Sequence, residues 1–168
     1  MPPREFYEHA IAAVEVARRS GVTLIVNDRV DIALAANAHG VHLGQDDMPP
    51  DAARQLLGDE AIIGYSTHDI EQATRALSLP IDYLAIGPIF ATSTKTDTSP
   101  VLGLDGLRAV RKAIGAVPLV AIGGISAANA REVIEAGADS VALISGVLSD
   151  PLRISESIRA FVREIRGA

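Results

Sequence analysis

Polar residues follow several apolar segments of this sequence, and those after two neighbouring segments could bind a metal ion. Asn27 and Asp28 come directly after the apolar residues "TLIV", and Asp47 ends the stretch "GVHLGQDD". Carboxylates at the ends of neighbouring parallel strands can converge on one Mg²⁺, which usually takes one or two protein carboxylates and completes its shell with water and phosphate oxygens. The alternative is structural: Asp28 would cap the following helix, and Asp47 would belong to a turn before Pro49.

The stretch "GPIFATSTKTD", residues 87–97, combines hydroxyl side chains with a single cation. Thr92 and Thr94 can donate hydroxyl hydrogens to phosphate oxygens, and Lys95 adds a positive charge that strengthens such bonds. A second candidate phosphate site is the glycine pair that ends at Gly124, because glycine lets backbone N–H groups approach an anion closely. Taken alone, the first stretch also agrees with an exposed polar loop, and the glycine pair with a tight turn.

Ser66 and His68, in the stretch "STHD", could act on a substrate. The Ser66 hydroxyl could bind a substrate edge and the His68 imidazole could move a proton, although a capping or surface role for His68 is an equal alternative. His42 lies inside an apolar segment and is predicted to be a hydrogen-bonded interior residue rather than a ligand, while His9 and His39 are predicted to be peripheral. A zinc site is not expected, because the chain has no cysteine and no H-x-x-x-H pair.

Six short apolar segments would have to position these residues. Each is too short for a helix and too apolar for a strand with one wet face, so each is predicted to be a parallel strand buried on both faces. The segments are "TLIVN" from Thr23, "GVHLG" from Gly40, "AIIGYS" from Ala61, "YLAIG" from Tyr83, "PLVAIGG" from Pro118 and "SVALIS" from Ser140. Helical patterns separate them, a further helix from about Arg4 to Arg19 precedes the first strand, and Asp105 and Ser126 are candidate N-caps.

Alternating strands and helices predict an α/β fold, and two architectures match the pattern: an open doubly wound sheet and a (β/α)₈ barrel of the TIM type. The open sheet with a nucleotide would favour a G-x-G-x-x-G turn after an early strand, and the sequence has none. The barrel is favoured, because polar or glycine-containing loops follow nearly every strand. Only six of the eight expected strands are evident, and residues 1–168 are predicted to form a single, N-terminally shortened barrel domain.

The composition argues against several other classes of function. A formal net charge of -6 and a pI near 5.1 argue against binding to nucleic acid or to an anionic membrane, since either needs a basic face. Small molecules are therefore the expected partners. No apolar stretch approaches the roughly 20 residues of a membrane span, and the charged beginning "MPPREFYEHA" is unlike a signal peptide, so a cytoplasmic protein is predicted.

Taken together, these segments resemble the thiamine-phosphate synthase family, also called thiamine-phosphate pyrophosphorylase. Six ordered motifs carry the resemblance: "LIVNDRVDIALA", "GVHLGQDD", "IIGYSTHD", "YLAIGPIFATSTKTD", "VAIGGIS" and "GADSVALIS". The resemblance implies a (β/α)₈ barrel that joins hydroxymethylpyrimidine pyrophosphate to a thiazole phosphate, giving thiamine phosphate and pyrophosphate. In the implied mechanism pyrophosphate leaves first, the thiazole nitrogen then captures the pyrimidine cation, and Mg²⁺ is the cofactor.

The resemblance also implies roles for individual residues. Asp28 and Asp47 match the metal ligands, and Lys95 and Ser66 match the catalytic side chains. Lys95 would stabilise the departing charge, so catalysis would rest largely on electrostatic positioning. The implied substrate-binding residues are Asn27, Ser66, Thr92, Thr94, Lys95, Gly124 and Ser145, the last of them expected on the final strand.

The family's first strand and its Q-x-R-x-K segment have no counterpart in this sequence. A start upstream of Met1, a second copy of the chain that covers the open barrel edge, and a shortened relative without synthesis are three alternatives, and we expect the chain alone to be weakly active. Two rival functions stay open. One is a thiazole tautomerase-like relative in which His68 shuttles a proton, and the other is a non-catalytic regulatory module that binds phosphate ligands.

Overall fold

A computed structural model describes residues 1–92 and 100–166 of the chain, and in these residues strands alternate with helices. The strands are β1 (Ile25–Asn27), β2 (Gly40–Leu43), β3 (Ile62–Thr67), β4 (Tyr83–Ile86), β5 (Leu119–Ile122) and β6 (Ser140–Ala142). The helices are α1 (Pro3–Ser20), α2 (Val30–Ala35), α3 (Pro50–Leu57), α4 (Ile70–Ala76), α5 (Gly103–Ile114), α6 (Ala130–Glu135), α7 (Ser145–Leu148) and α8 (Ile154–Arg166). The six predicted strands and the α/β fold are confirmed, and the short helix α7 was not predicted.

The strands follow one another in chain order within the sheet. Parallel pairing sets Ile25 opposite Gly40 and Gly40 opposite Ile62, and further along the chain it sets Ala85 opposite Val120 and Val120 opposite Ser140. Parallel neighbours of this kind place the ends of successive strands, and hence the loops that follow them, at one edge. No helix of the described residues is long and apolar enough to cross a membrane.

The chain divides into two compact units. Unit 1 comprises Met1–Ser66 with Ser78–Tyr83, and unit 2 comprises Thr67–Leu77 with Leu84–Ala168. Each unit has a core of aliphatic side chains that are closed off from water, as strands buried on both faces require. Fully buried side chains in unit 1 include Val41, Leu43 and Ile63, and those in unit 2 include Leu84, Ile86, Leu107 and Leu119. The single domain expected over residues 1–168 stays a prediction.

An arginine joins the beginnings of two strands in unit 1. The Arg54 guanidinium, at the end of α3, donates to the carbonyl oxygens of Ala61 at 2.5 Å and Pro80 at 3.1 Å. It also donates to the Asp82 carboxylate at 2.8 Å, and the same carboxylate oxygen accepts from the Ile63 amide at 2.7 Å. The Arg54 side chain is only 16% exposed. We refer to Arg54, Asp82 and these backbone groups as the unit 1 clamp.

Unit 2 repeats this arrangement at the same sequence spacing of 28 residues. Arg111, in the last turn of α5, donates to the carbonyl oxygens of Val117 at 2.9 Å and Gly137 at 2.7 Å. It also donates to the Asp139 carboxylate, which accepts from the Leu119 amide at 2.8 Å. We refer to this set as the unit 2 clamp. Both clamps satisfy backbone groups just ahead of strands, where loops would otherwise leave them unpaired.

Two of the predicted helix caps are wrong. Helix α5 begins at Gly103 after the N-cap Leu102, so Asp105 lies inside the first turn, where its carboxylate pairs with Arg108 at 2.7 Å. Helix α6 begins at Ala130 after the N-cap Asn129, three residues later than an N-cap at Ser126 would require.

A local turn explains the late start of α6. The Asn129 side chain accepts from the Ser126 amide at 2.8 Å and donates to the Gly124 carbonyl at 3.1 Å. Asparagine side chains often hold turns in this way, in competition with helix formation.

Candidate active site

The end of β1 carries two exposed polar residues. The Asp28 amide continues the pairing with β2 by donating to the His42 carbonyl at 2.8 Å, and the Asn27 amide group donates to the Asp28 carboxylate at 2.6 Å. Asp28 has a φ of 64°, a left-handed conformation that is uncommon outside glycine and for which aspartate is enriched among the exceptions. The N-cap of α2 is Arg29, so the structure does not place Asp28 at the predicted capping position.

The neighbouring cation, Arg29, is paired with Asp31. Its guanidinium donates to the two Asp31 carboxylate oxygens at 2.8 and 2.5 Å. These hydrogen bonds lower the pKa of Asp31 and raise the pKa of Arg29, in both cases against the opposing effect of burial. The positive charge of Arg29, next to Asp28 in the sequence, is therefore already paired with Asp31 in the first turn of α2.

Asp47, after β2, closes a turn. One of its carboxylate oxygens accepts from the Gly44 amide at 2.6 Å, and the residue is half-buried, which supports the structural interpretation of this position. A carboxylate that accepts one amide hydrogen keeps further lone pairs for a cation. Asp28 and Asp47 both belong to unit 1 and follow neighbouring parallel strands.

These two carboxylates suit Mg²⁺ by the chemistry of their oxygen donors. Among residues 1–92 and 100–166 there is no group of three or more His, Cys, Asp or Glu that could hold a metal ion. Mg²⁺ commonly takes only one or two carboxylates and draws its other ligands from water and phosphate. The donor set is thus suited to a metal that a phosphate ligand helps to bind.

Ser66 lies near the end of β3 in a short chain of hydrogen bonds. Its Oγ is 2.7 Å from His42 Nε2, and His42 Nδ1 is 2.9 Å from the Tyr83 hydroxyl. The Ser66 carbonyl accepts from the Gln45 side chain at 2.6 Å. The predicted hydrogen bonding of His42 is confirmed, but the residue is only half-buried, and its two partners were not foreseen.

In unit 2, the ring of His68 is hydrogen-bonded to Gly87, the first residue of the predicted phosphate loop. Its Nδ1 lies 2.8 Å from the Gly87 carbonyl, which can only accept, so Nδ1 is the donor. The cap of α4 is the next residue, Asp69, whose carboxylate accepts from the Gln72 amide at 2.7 Å. His68 is therefore not itself the cap.

Backbone hydrogen bonds hold the base of that loop in place. The Phe90 amide donates to the Gly123 carbonyl at 3.0 Å, and the Leu102 amide donates to the Pro88 carbonyl at 2.9 Å. Thr92 is exposed beyond this base. Two predicted phosphate-binding residues, Thr94 and Lys95, lie outside the described residues.

Gly123 and Gly124 are required by close packing against the same loop. Both have positive φ, 97° and 65°. A Cβ at Gly123 would lie 2.7 Å from Pro88 Cα, and one at Gly124 would lie 2.7 Å from the Ala91 carbonyl oxygen, too close for any L side chain. The glycine pair thus sets the distance between the end of β5 and residues 88–91.

The expected place of Ser145 is wrong. Strand β6 ends at Ala142, and Ser145 is the exposed first residue of the short helix α7. The backbone leaves the extended conformation at Ile144, where φ is -119° and ψ is -79°. A helical turn begins there, so Ser145 is presented from α7 and not from the strand.

An α/β chain whose polar side chains follow the ends of parallel strands belongs to the class of folds that place active sites in the loops after those strands. The family model for thiamine monophosphate synthase matches residues 1–147. This chain belongs to the thiamine monophosphate synthase family.

Individual relatives agree with that assignment. The thiamine-phosphate synthase of Chloroflexus aurantiacus is 48% identical over 164 residues, which are 98% of this chain and 73% of the relative. The thiamine-phosphate synthase of Koribacter versatilis is 55% identical over 148 residues, or 88% of this chain and 69% of the relative. The structure of a thiamine phosphate pyrophosphorylase from Pyrococcus furiosus matches with a TM-score of 0.90 at 36% identity, covering 99% of this chain and 79% of that chain.

Proposed function

We propose that this protein is a transferase of thiamine biosynthesis that forms thiamine phosphate from hydroxymethylpyrimidine pyrophosphate and a thiazole phosphate. The observation that carries the proposal is the identity of 48% to a thiamine-phosphate synthase over 98% of the chain. The polar residues at the ends of β1, β2 and β3 supply the kinds of group that two phosphorylated substrates need.

The proposed reaction exchanges one bond for another without oxidation or reduction. The bond between the pyrimidine methylene carbon and the pyrophosphate oxygen breaks, and pyrophosphate leaves with the electron pair. The thiazole nitrogen then bonds to the same carbon through its lone pair. A reaction of this kind depends mainly on holding the two substrates in line and stabilising the charge on the leaving group.

Asp28 and Asp47 are the residues proposed to hold Mg²⁺. When bound, the metal ion would neutralise negative charge on the pyrophosphate. The left-handed backbone of Asp28 turns the chain immediately after β1, and Asn27 donates to its carboxylate at 2.6 Å. The backbone amide of Gly44 orients the Asp47 carboxylate by a similar hydrogen bond. Each carboxylate is therefore oriented by one hydrogen-bond donor of the protein.

The phosphate-binding part of the proposal rests on the loop after β4. Thr92, Thr94 and Lys95 are proposed to bind phosphate oxygens, with Lys95 supplying positive charge to the departing pyrophosphate. Gly124 and Ser145 are proposed to contact the thiazole phosphate. Support comes from the loop base, which backbone hydrogen bonds tie to the end of β5 and the start of α5.

Several further aspects belong to the same proposal. The complete fold is an eight-stranded (β/α) barrel, and the protein is cytoplasmic and acts on small molecules. If residues 1–168 act without the two further strands, a second copy of the chain is proposed to cover the outer edge of β1. Sedimentation velocity tests this last point, because a monomer at all concentrations would contradict it.

The first experiment is a synthase assay with both substrates and Mg²⁺, following thiamine phosphate by chromatography and released pyrophosphate by a coupled reaction. Equal amounts of the two products are expected, with neither formed when the thiazole phosphate is left out. The assay is run on this chain and on a version extended upstream in the same reading frame. Thiamine phosphate from neither version would refute the proposal.

The rival functions give different results in the same tests. A tautomerase-like relative would convert a thiazole substrate without the pyrimidine and would lose that activity on His68→Ala. A regulatory module would bind hydroxymethylpyrimidine pyrophosphate in calorimetry without forming product in either version of the protein.

A further inference from the structure

Three polar side chains from successive strands of unit 1 form an ordered relay. Ser66 Oγ lies 2.7 Å from His42 Nε2, and His42 Nδ1 lies 2.9 Å from the Tyr83 hydroxyl. The rings of His42 and Tyr83 are stacked with their centroids 5.5 Å apart and their planes at 26°. We refer to Ser66, His42 and Tyr83 as the relay.

Strand register and a glycine create the space for the relay. His42 pairs with Gly64 across β2 and β3, and Ser66 lies two residues further on, on the same face of β3. A Cβ at Gly64 would lie 2.0 Å from Tyr83 Cζ and 2.5 Å from His42 Nδ1. Only glycine leaves room for both rings, so the relay is part of how β2, β3 and the start of β4 fit together.

The relay ends at Ser66, whose backbone is fixed by a hydrogen bond and whose side chain is only partly buried. The Gln45 side chain donates to the Ser66 carbonyl at 2.6 Å, which fixes the backbone at this position. Ser66 itself is half-buried, so part of it faces solvent at the end of β3. An oriented hydroxyl at such a place can serve a ligand.

The protonation of the relay follows from the acidity of its members. Burial raises the pKa of Tyr83, so the phenol keeps its proton at neutral pH. A phenol is a stronger hydrogen-bond donor than a serine hydroxyl, and it therefore donates to Nδ1. With Nδ1 as the acceptor, the ring proton of His42 is on Nε2, because the hydrogen bond at one ring nitrogen sets the state of the other.

We propose that His42, itself held by Tyr83, is a positioning residue that donates from Nε2 to Ser66 Oγ and so directs the Ser66 O–H toward a hydrogen-bond acceptor of the ligand. The inference rests on the proposed function, in which that ligand is the pyrimidine substrate and a ring nitrogen is a suitable acceptor. The opposite tautomer would reverse both hydrogen bonds. Ser66 would then donate to His42 and offer the ligand only lone pairs, which favours an amino group.

Nitrogen NMR of the whole chain tests the tautomer without relying on catalysis. The chain has four histidines, and the spectrum of His42→Gln identifies the signals of His42 by their loss. The expected result is a protonated Nε2 and an unprotonated Nδ1 in the wild type, with the Nδ1 signal shifted in Tyr83→Phe. A wild-type His42 with its proton on Nδ1 would overturn the inference.

Two substitutions of His42 separate positioning from packing. Glutamine can place an N–H group near the position of Nε2, whereas asparagine can place one only near Nδ1. His42→Gln is expected to keep kcat/KM close to that of the wild type, while His42→Asn and Ser66→Ala lower it by about tenfold, the factor that corresponds to one hydrogen bond. Tyr65→Phe is the matched control for Tyr83→Phe, because Tyr65 packs against the core of unit 1, and no change is expected from it.

The outcomes distinguish this inference from the proposed function. Equal losses in His42→Gln and His42→Asn, at equal stability in urea, would mean that the ring only fills space and would overturn the inference. If no version of the protein forms thiamine phosphate, the proposed function fails, and the NMR result alone then decides the tautomer. Calorimetry with hydroxymethylpyrimidine pyrophosphate compares His42→Gln with His42→Asn a second time, through their affinities for this substrate.

Discussion

Within each unit, the residues at the beginnings of the strands and those at the ends are used in different ways. At the beginnings, the clamp arginines Arg54 and Arg111 are 16% and 21% exposed and donate to backbone carbonyls and to a carboxylate. At the end of β1, Asn27 and Asp28 are exposed, and Asp28 adopts an uncommon left-handed backbone. The clamps satisfy backbone groups of the fold, whereas the side chains at the end of β1 are exposed to solvent.

This difference indicates where stability and activity reside. Groups that already have protein partners cost free energy when one partner is removed. Residues held in unusual conformations with exposed oxygens are candidates for function and contribute less to stability. Substitutions at the beginnings of strands should therefore affect unfolding, and substitutions at the ends should affect activity.

The largest effect is expected at Gly40, the first residue of β2. A Cβ there would lie 1.9 Å from the Ile62 carbonyl oxygen, and the backbone of the paired strand cannot move away cheaply. Gly40→Ala should lower the free energy of unfolding by about 3 kcal/mol or more. Urea unfolding measures this loss of stability.

Gly58→Ala is the control for the close contact at Gly40. A Cβ at Gly58 would meet no atom within 4 Å. Only the positive φ of 82° opposes this substitution, at a cost of about 1 kcal/mol. Equal losses would contradict the role of the close contact.

Breaking the unit 1 clamp should have the next largest effect. Arg54→Ala removes the donor for several backbone carbonyls and for Asp82, and is expected to lower the free energy of unfolding by about 3 kcal/mol. The midpoint of urea unfolding should fall with little change in its slope. Arg75→Ala is the matched control, because Arg75 and Glu71 are 62% and 79% exposed and such pairs contribute about 0.5 kcal/mol or less. If Arg54→Ala were no less stable than Arg75→Ala, the proposed role of the strand beginnings in stability would be wrong.

At the end of β1, the effects on activity and on stability should separate. Asparagine tolerates the left-handed conformation of Asp28 but lacks its charge. Asp28→Asn should change the free energy of unfolding by less than about 0.5 kcal/mol while lowering Mg²⁺-dependent synthase activity by about 100-fold. Activity measured across a Mg²⁺ titration, beside urea unfolding of the same sample, provides the check. Unchanged activity would show that Asp28 is not a metal ligand.

The smallest expected effect is a change in the alkaline pH dependence of stability. Burial raises the pKa of Tyr83 above its unfolded value of 10.0, so the folded protein binds this proton more tightly than the unfolded chain does. Its effect on stability is constant below pH 10 and becomes unfavourable as the pH rises through the folded pKa. Tyr83→Phe should therefore show a shallower loss of stability above pH 10. Parallel curves for the two proteins would mean that the phenol does not titrate differently on folding.

Most secondary structure could be predicted from the sequence, because it depends on local patterns. Short apolar runs between helical patterns give all six strands, and Gly21 ends α1 with a φ of 64° as expected of a glycine there. The start of α6 and the place of Ser145 could not be predicted in this way. The side-chain bonds of Asn129 decide the first, and the turn at Ile144 decides the second.

The residues of the candidate site were proposed from the sequence, and that proposal stays a prediction, whereas their contacts could not be foreseen. The motifs around Asn27, Asp28, Asp47 and Ser66 suffice to suggest phosphate and metal chemistry. The left-handed backbone of Asp28 is not apparent from them, because aspartate adopts this conformation only in a minority of cases.

By itself, the sequence determined the alternation of strands and helices, the strand-end positions of the polar residues, and the family. The tertiary structure alone decided that His42 lies between Ser66 and Tyr83, which are 24 and 41 residues away along the chain. It also decided that Arg54 and Arg111 each join a helix end to a carboxylate 28 residues further on. The physical reason is strand register: contacts across a parallel sheet depend on which residues stand opposite one another, and only the packed strands fix that pairing.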